Sequence, residues 1–221
     1  MELQKLLSID PSYSNTGLCL IDFSNKEITF KRVRPDGTND SYLETVDRAD
    51  KIMTEIFELL LTRQPNHIVQ EEPLLTSQKS SVLGVLGGII TNNLLKMVDL
   101  FSRQNLRPYK YITINPRVVS SVCSKTAKKL NLTKKKASTH VGKIFLELLE
   151  NKGFKVDVIQ DTKRKRVISN DEYEALILAI VYLSQEHQDF FTFEEMRTIK
   201  GIKEKDYELN IKRGEITNDR Y

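Results

Sequence analysis

The chain reads as an α/β protein built on a mixed five-stranded sheet flanked by helices. Three patterns predict it. Strand-like apolar runs open the chain in quick succession, at residues 6–10, 18–22 and 27–33. The period then changes to 3.6 over about 42–62, and a short strand-like run returns at 67–71. Three strands, a helix and a returning strand make a mixed sheet with a helical crossover.

The first strand ends in a carboxylate. Leu6, Ser8 and Asp10 share one of its faces, Leu7 and Ile9 the other. A short polar turn folds residues 18–22 back as a hairpin. Asp10 therefore stands near a strand end, held by sheet backbone and close to solvent; a turn-initiating Asp before Pro11 has the same local sequence. The third strand is entered through Ser24-Asn25-Lys26, and 34–41 form a loop with Pro35 and Gly37. The helix after it carries Val46, Ala49, Ile52, Met53, Ile56, Phe57, Leu59 and Leu60 on one stripe. Gln64-Pro65-Asn66 ends that helix. Ile68 and Val69 make the next strand a central one, stopped by Pro73, which cannot continue a hydrogen-bond ladder. This strand delivers Glu71 to its end as the first delivers Asp10. Glu72 has the opposite side-chain direction, so Glu71 is the candidate beside Asp10; the reverse assignment stays open at this point.

A second helix, over about 80–101, contains Gly84, Gly87 and Gly88. Each costs roughly 1 kcal/mol relative to alanine, so close approach by another backbone or by DNA is the expected compensation. A fifth strand at 109–114 is closed by Asn115-Pro116, and a helix begins near Arg117 with Pro116 at its N-terminus. Thr133 is an N-cap candidate for a helix reaching about Asn151. Lys134, Lys135 and Lys136 then lie in its first turn, where the helix dipole disfavours them. An anionic partner explains them better than stability does. Ser169, Asn170 or Asp171 can cap a final helix whose run over 175–183 is apolar almost all round, and so is buried against the sheet. Asp171 and Glu174, three apart, share a face of its first turn. Residues 1–187 read as one domain, and 188–221 as a charged C-terminal extension, partly helical or mobile.

Charge is unevenly spread. The chain carries a formal +4, but residues 107–166 alone hold a net +12 and the remainder −8. A concentrated basic region can neutralise phosphates, whereas diffuse basicity only aids solubility. The candidate phosphate contacts are Lys125, Lys128, Lys129, Lys134, Lys135, Lys136, Lys163, Arg164, Lys165 and Arg166; a lysine-rich solvated face is the plain alternative. Cys19 and Cys123 lack metal-ligand spacing and read as reduced thiols of an intracellular protein. The apolar patch at 82–90 is too short to span a bilayer, and no secretion signal is visible, so a cytoplasmic protein without a membrane partner is expected. His67, His140 and His187 are too scattered for a zinc cluster.

Asp10, Glu71, Asp171 and Glu174 thus form a candidate catalytic and metal-binding set, drawn from two strand ends and one helix start. Four clustered carboxylates repel one another unless cations compensate. Mg²⁺ prefers such oxygen ligands, and two ions can activate water and hold a scissile phosphate. Two Mg²⁺ are expected, with Mn²⁺ as a substitute.

Across residues 5–185 these pieces resemble the RuvC-type Holliday-junction resolvases of the ribonuclease-H-like nucleases. The resemblance rests on Ile9-Asp10-Pro11 with Thr16-Gly17, on Glu71-Glu72-Pro73, and on Asp171-Glu172-Tyr173-Glu174-Ala175. It implies a ribonuclease-H-like fold and a homodimer that nicks opposite strands of a four-way DNA junction, leaving 5′-phosphate ends. It also implies that the four acids bind two divalent metals. The fourth acid is commonly Asp, so Glu174 is a longer variant. Ser120 stands in a segment where the family often has lysine. A broader branched-DNA debranching nuclease and a non-catalytic junction-binding protein are the alternatives.

Overall fold

The structure is a computed structural model that describes residues 2–12, 14–35, 42–73, 78–103, 110–129, 137–159 and 167–200. The described residues form one six-stranded sheet of β1 (Lys5–Asp10), β2 (Thr16–Asp22), β3 (Glu27–Val33), β4 (His67–Glu71), β5 (Lys110–Ile114) and β6 (Lys155–Val158), in the order β5-β4-β1-β2-β3-β6. The first three strands are an antiparallel meander, to which β4, β5 and β6 add in parallel. Two helices, α1 (Tyr42–Arg63) and α2 (Gln78–Arg103), pack on one face. The other face is covered by α3 (Pro116–Lys129), α4 (Ala137–Asn151) and α5 (Asn170–Glu186).

The mixed, helix-flanked sheet is the one expected, with one strand more. β6 is only four residues, Lys-Val-Asp-Val, too short for a period to register in the sequence. Gly153, at φ +88°, turns the chain out of α4, and Lys155 N donates to Lys26 O at 2.8 Å to start the new edge.

Strand alternation divides the core in two. Leu6, Cys19, Ile21, Phe30 and Val69 pack toward α3, α4 and α5. Leu7, Ile9, Leu18, Leu20 and Ile68 pack toward α1 and α2. At the centre of the first layer is α5, whose residues 175–183 are all buried. Burying each large apolar side chain is worth about 1.5–3 kcal/mol, so this helix is anchored along most of its length. Its low amphipathicity is what a helix covered on all sides requires.

The packed body continues past residue 187. A 3-10 turn, Gln188–Phe190, leads into α6 (Phe193–Lys200). Phe191, Met196 and Ile199 are fully buried within the α5-side core. These three residues are the apolar anchors of a stretch whose frequent charges make it read as an extension.

Gly87 has an internal reason. A Cβ there would lie 2.7 Å from Pro73 Cγ, so the glycine lets α2 pass the end of β4. The close approach is made by the Pro73 ring of the same chain, where the sequence led to the expectation of another backbone or DNA. Gly84 is buried, while Gly88 is exposed, with nothing within 4 Å of a built Cβ. The Leu83–Arg103 stretch of α2 is long and apolar enough to cross a membrane by length and composition. Cys19 is buried, Cys123 half-buried, and both are free thiols.

Candidate active site

The side on which each acid lies follows from alternation and register. Asp10 shares the face of Leu6, and Glu71 that of Val69, so both point toward α5. Parallel pairing of β1 with β4 runs to Ile9 opposite Gln70, and one step further Asp10 and Glu71 come side by side. Gln70 points the other way. Its Nε2 donates to Thr91 Oγ1 at 3.0 Å, and its Oε1 accepts from Tyr111 OH at 2.9 Å, tying the end of β4 to α2 and β5. Glu72 is exposed and accepts from Asn115 Nδ2 at 3.4 Å, away from Asp10.

The second pair of acids is delivered by the start of α5. Ser169 caps that helix in a capping box: Ser169 N donates to Glu172 Oε2 at 2.8 Å, and Glu172 N donates to Ser169 Oγ at 3.4 Å. Below the cap lies Gly17, which pairs with Asp10 across β1 and β2. A Cβ on Gly17 would overlap the Asp171 carbonyl group. The backbones of β2 and α5 therefore touch, and only glycine at position 17 permits it. That contact brings Asp171 and Glu174 to the strand end that carries Asp10.

Asn170 is a site residue that the sequence presented only as a cap candidate. Its Nδ2 donates to Glu174 Oε1 at 2.8 Å, and its Oδ1 accepts from Ser138 Oγ at 2.9 Å and Thr139 Oγ1 at 2.7 Å. One amide thus links the start of α4 to the acid on α5. The i, i+4 spacing of Asn170 and Glu174 is the signal that could have revealed it.

Electrostatics couples the acids. Asp10 and Glu71 share a hydrogen bond. Burial, then the negative charges of Glu71 and Glu174, the shared hydrogen bond, and finally Asp171, push Asp10 well above the usual carboxylate range. Burial also raises Glu71, as does Glu174, against the lowering effect of the bond from Asp10. Asp171 is raised by burial and Glu174, partly offset by its own backbone N–H and by Arg32.

Asp10, Glu71 and Glu174 line a cavity of about 860 Å³ between α3, α5 and the strand ends. The Cys123 thiol on its wall is pushed up to about 12 by burial, then by Glu174 and Glu71. Asp171 is not part of this lining, and among the described residues no group of three or more His, Cys, Asp or Glu side chains is arranged to hold a metal ion. This differs from the compact four-carboxylate set expected. Asp10 and Glu71 lie in hydrogen-bond contact with each other, and Asn170 Nδ2 donates to Glu174. The donors themselves, all carboxylate oxygens, suit a hard divalent cation.

Of the basic candidates, Lys128 lines the cavity. Lys125 is exposed one turn earlier, in a shallow groove of α3 shared with Arg117. Lys129 closes α3. Thr133, Lys134, Lys135, Lys136, Lys163, Arg164, Lys165 and Arg166 lie outside the described residues. Ser120, where a lysine was a family expectation, faces the cavity.

No protein-family model and no curated protein matches the sequence. Solved structures do. RuvC from T. thermophilus in complex with a Holliday junction substrate superposes with a TM-score of 0.52 at 14% identity, over 83% of this chain and 96% of that one. The yeast mitochondrial Holliday junction resolvase Ydc2 gives 0.54 at 11% identity, over 84% and 83%. A second T. thermophilus RuvC structure gives 0.50 at 15%, over 82% and 95%. The chain has the RuvC-like, ribonuclease-H-like fold.

Proposed function

We propose that this protein is a Mg²⁺-dependent, structure-selective endodeoxyribonuclease that resolves four-way DNA junctions by paired symmetric nicks, leaving 5′-phosphate ends. The observation that carries the reading is the meeting of acids from β1, β4 and α5 at one cavity, on a fold shared with a RuvC solved on a Holliday junction.

Asp10, Glu71, Asp171 and Glu174 would hold the Mg²⁺, with Mn²⁺ as a substitute. When bound, Mg²⁺ supplies an activated water and neutralises charge on the scissile phosphate. The donor set supports the fit: carboxylate oxygens brought by two strand ends and one helix start are the ligands a hard divalent cation prefers. Asn170 orients the longer Glu174 side chain and limits its freedom. Ser120, Ser124 and Lys128 supply hydrogen-bond donors on the opposite wall of the cavity, suited to phosphate oxygens. The remaining lysines and arginines of the basic region add affinity that does not depend on sequence.

Paired incision is simplest for a C2 homodimer. The outer side of α2, which exposes Val85, Leu95 and Leu100, is the proposed contact. Light scattering at micromolar concentration checks this part: a dimer is expected for the native chain and a monomer after Leu95→Asp with Leu100→Asp. A native chain that stays monomeric both free and on DNA rejects paired incision.

For the activity itself, purified protein is mixed with Mg²⁺ and either a mobile four-way junction or a matched linear duplex. Nicks on opposing strands of the junction are expected, with little cutting of the duplex. Equal cutting of both rejects junction selectivity. No cutting of any DNA in Mg²⁺ or Mn²⁺ rejects the nuclease reading.

A further inference from the structure

We propose that Arg32 is a substrate-binding residue of this site, its guanidinium taking a backbone phosphate of the DNA strand on the side of the acids away from α3. This rests on the nuclease reading of the site. It adds a contact that the basic region at 107–166 does not contain.

The inference comes from the register of the sheet. Asp10 pairs with Gly17 across β1 and β2, and Gly17 pairs with Arg32 across β2 and β3. Glu71 stands beside Asp10, one step past the Ile9–Gln70 pair. Glu71, Asp10, Gly17 and Arg32 therefore form one row across four neighbouring strands. Residues directly opposite in a ladder share a face of the sheet, and here it is the face covered by α5. Phe30, two residues before Arg32, is buried on that face, with its ring 6.5 Å from that of Tyr173. One alternation further along β3, Arg32 comes level with the start of α5, where the Asp171 backbone rests on Gly17. The row thus runs from two acids, past a third on the helix above it, to a guanidinium. With strands about 4.8 Å apart, Arg32 Cα lies about 10 Å from Asp10 Cα.

The other basic residues near the end of β3 have different tasks. Lys31 projects to the opposite face and pairs with Glu55 and Glu58 of α1, the latter at 2.9 Å. Arg34, exposed just beyond the strand, donates from Nε to Asn15 Oδ1 at 3.1 Å, tying the β1–β2 connection to β3. Arg32 is half-buried, and its positive charge acts on Asp171. α3 starts just past β5, at one end of the row, while Arg32 stands on β3 at the other. A DNA strand laid across the row, its scissile phosphate at Asp10 and Glu71, meets α3 on one side and Arg32 on the other. Arginine suits the second place, because its permanently charged, planar fork matches two oxygens of one phosphate. Held on both sides of the acids, the strand has one direction across them.

The test is a set of binding cycles on the full chain in Ca²⁺. Four-way junctions carry one uncharged methylphosphonate at a time, at each phosphate within three of the branch point. Arg32→Ala should weaken binding of the unmodified junction about 10-fold and lower the salt slope by about 1. One methylphosphonate position should weaken the native protein to a similar degree and leave Arg32→Ala unaffected. A purely structural role for Arg32 makes the two losses multiply at every position. That result, or native affinity in Arg32→Ala, overturns the proposal. Should Arg32→Ala fail to fold, Arg32→Lys, which keeps the charge and loses the fork, takes its place. It should lose about threefold, again only where the critical phosphate is charged, and native affinity or multiplying losses in it overturn the proposal equally. The two readings fail separately. Junction cutting by the native protein in Mg²⁺ without the coupled loss rejects the Arg32 contact alone, whereas the coupled loss without cutting rejects the nuclease and retains the contact. A native protein that binds no junction in Ca²⁺ rejects both.

Discussion

Substituting Gly17 by alanine adds one methyl group at the most crowded backbone contact of the site. The new Cβ would sit well inside 3.0 Å of both the carbonyl carbon and the oxygen of Asp171, and 2.9 Å from Glu172 N. Ordinary contact begins near 3.4 Å. All three neighbours are backbone atoms, so no side chain can swing away, and β2 and the first turn of α5 must part by about 1 Å or more. Both elements are packed into the core, and overfilling such a site costs typically about 1–3 kcal/mol. At about 2–4 °C per kcal/mol for a domain of this size, Tm should fall by roughly 3–10 °C. The same movement carries Asp171 and Glu174 away from Asp10, and a displacement near 1 Å at a reacting centre costs about 100-fold in rate. Thermal unfolding and single-turnover junction cleavage with Mg²⁺ are the assays, with junction affinity in Ca²⁺ expected to change less than about threefold. Gly88→Ala is the control. It adds the same methyl group where nothing lies within 4 Å, and should stabilise the helix by up to ~1 kcal/mol. A Gly17→Ala protein with native Tm and native rate would refute the argument that this glycine seats the acids.

Three further expectations concern Asp10 and Asn170 beside that contact and His67 at the opposite end of β4. Asp10→Asn removes a charge whose folded-state pKa is raised, a group whose stabilising effect is present at low pH and lost as pH rises through its folded value. Without divalent metal its Tm should therefore exceed the native value at pH 8, converge with it toward about pH 4, and be accompanied by loss of cleavage; scanning calorimetry in EDTA at several pH values reads this. Asn170→Ala removes the amide that donates to Glu174 and accepts from Ser138 and Thr139 of α4; apparent Mg²⁺ affinity in the cleavage assay should fall about 10-fold, with Asn170→Asp rescuing less than Asn170→Gln. Burial, then His187 and Lys110, holds His67 down at about 4 from 6.5, so the unfolded chain takes up a proton over that window and the folded chain does not. Stability against urea should consequently fall as pH drops from 6.5 toward 4, and His67→Gln should flatten that slope. Asp10 and Glu71 act in the opposite sense, so the difference between variant and native protein is the quantity to read.

Period-two alternation made much of the site legible in the sequence. It put Leu6, Ser8 and Asp10 on one face, and the same parity separates Glu71, which faces Asp10, from Glu72, which is exposed. The near-uniform apolarity of α5 announced its burial, and acids just ahead of that run stood out against it. What stayed hidden depends on contacts between distant segments. Gly17 looks like an ordinary turn glycine until α5 is laid across it. Asn170 looks like a cap until Ser138 and Thr139 approach from α4. Gly87 answers to Pro73, fourteen residues earlier, and a helical pattern does not report that neighbour. β6 exists because β3 offers an open edge, and four residues alone carry too little pattern to declare it. The α6 anchors Met196 and Ile199 are sparse among charges, and three apart they suffice to dock one short helix.

On the proposed function, Glu71, and not its neighbour Glu72, joins Asp10 in the metal-dependent cutting of DNA. Glu71→Gln and Glu72→Gln keep side-chain shape while each removes one charge, so single-turnover cleavage of a mobile four-way junction in Mg²⁺ compares the two positions directly. Glu71→Gln should lose at least about 1,000-fold and Glu72→Gln should stay within about threefold of the native rate, with junction affinity in Ca²⁺ little altered for both. Native cleavage by the Glu71 variant, or the large loss appearing at Glu72 instead, would contradict it.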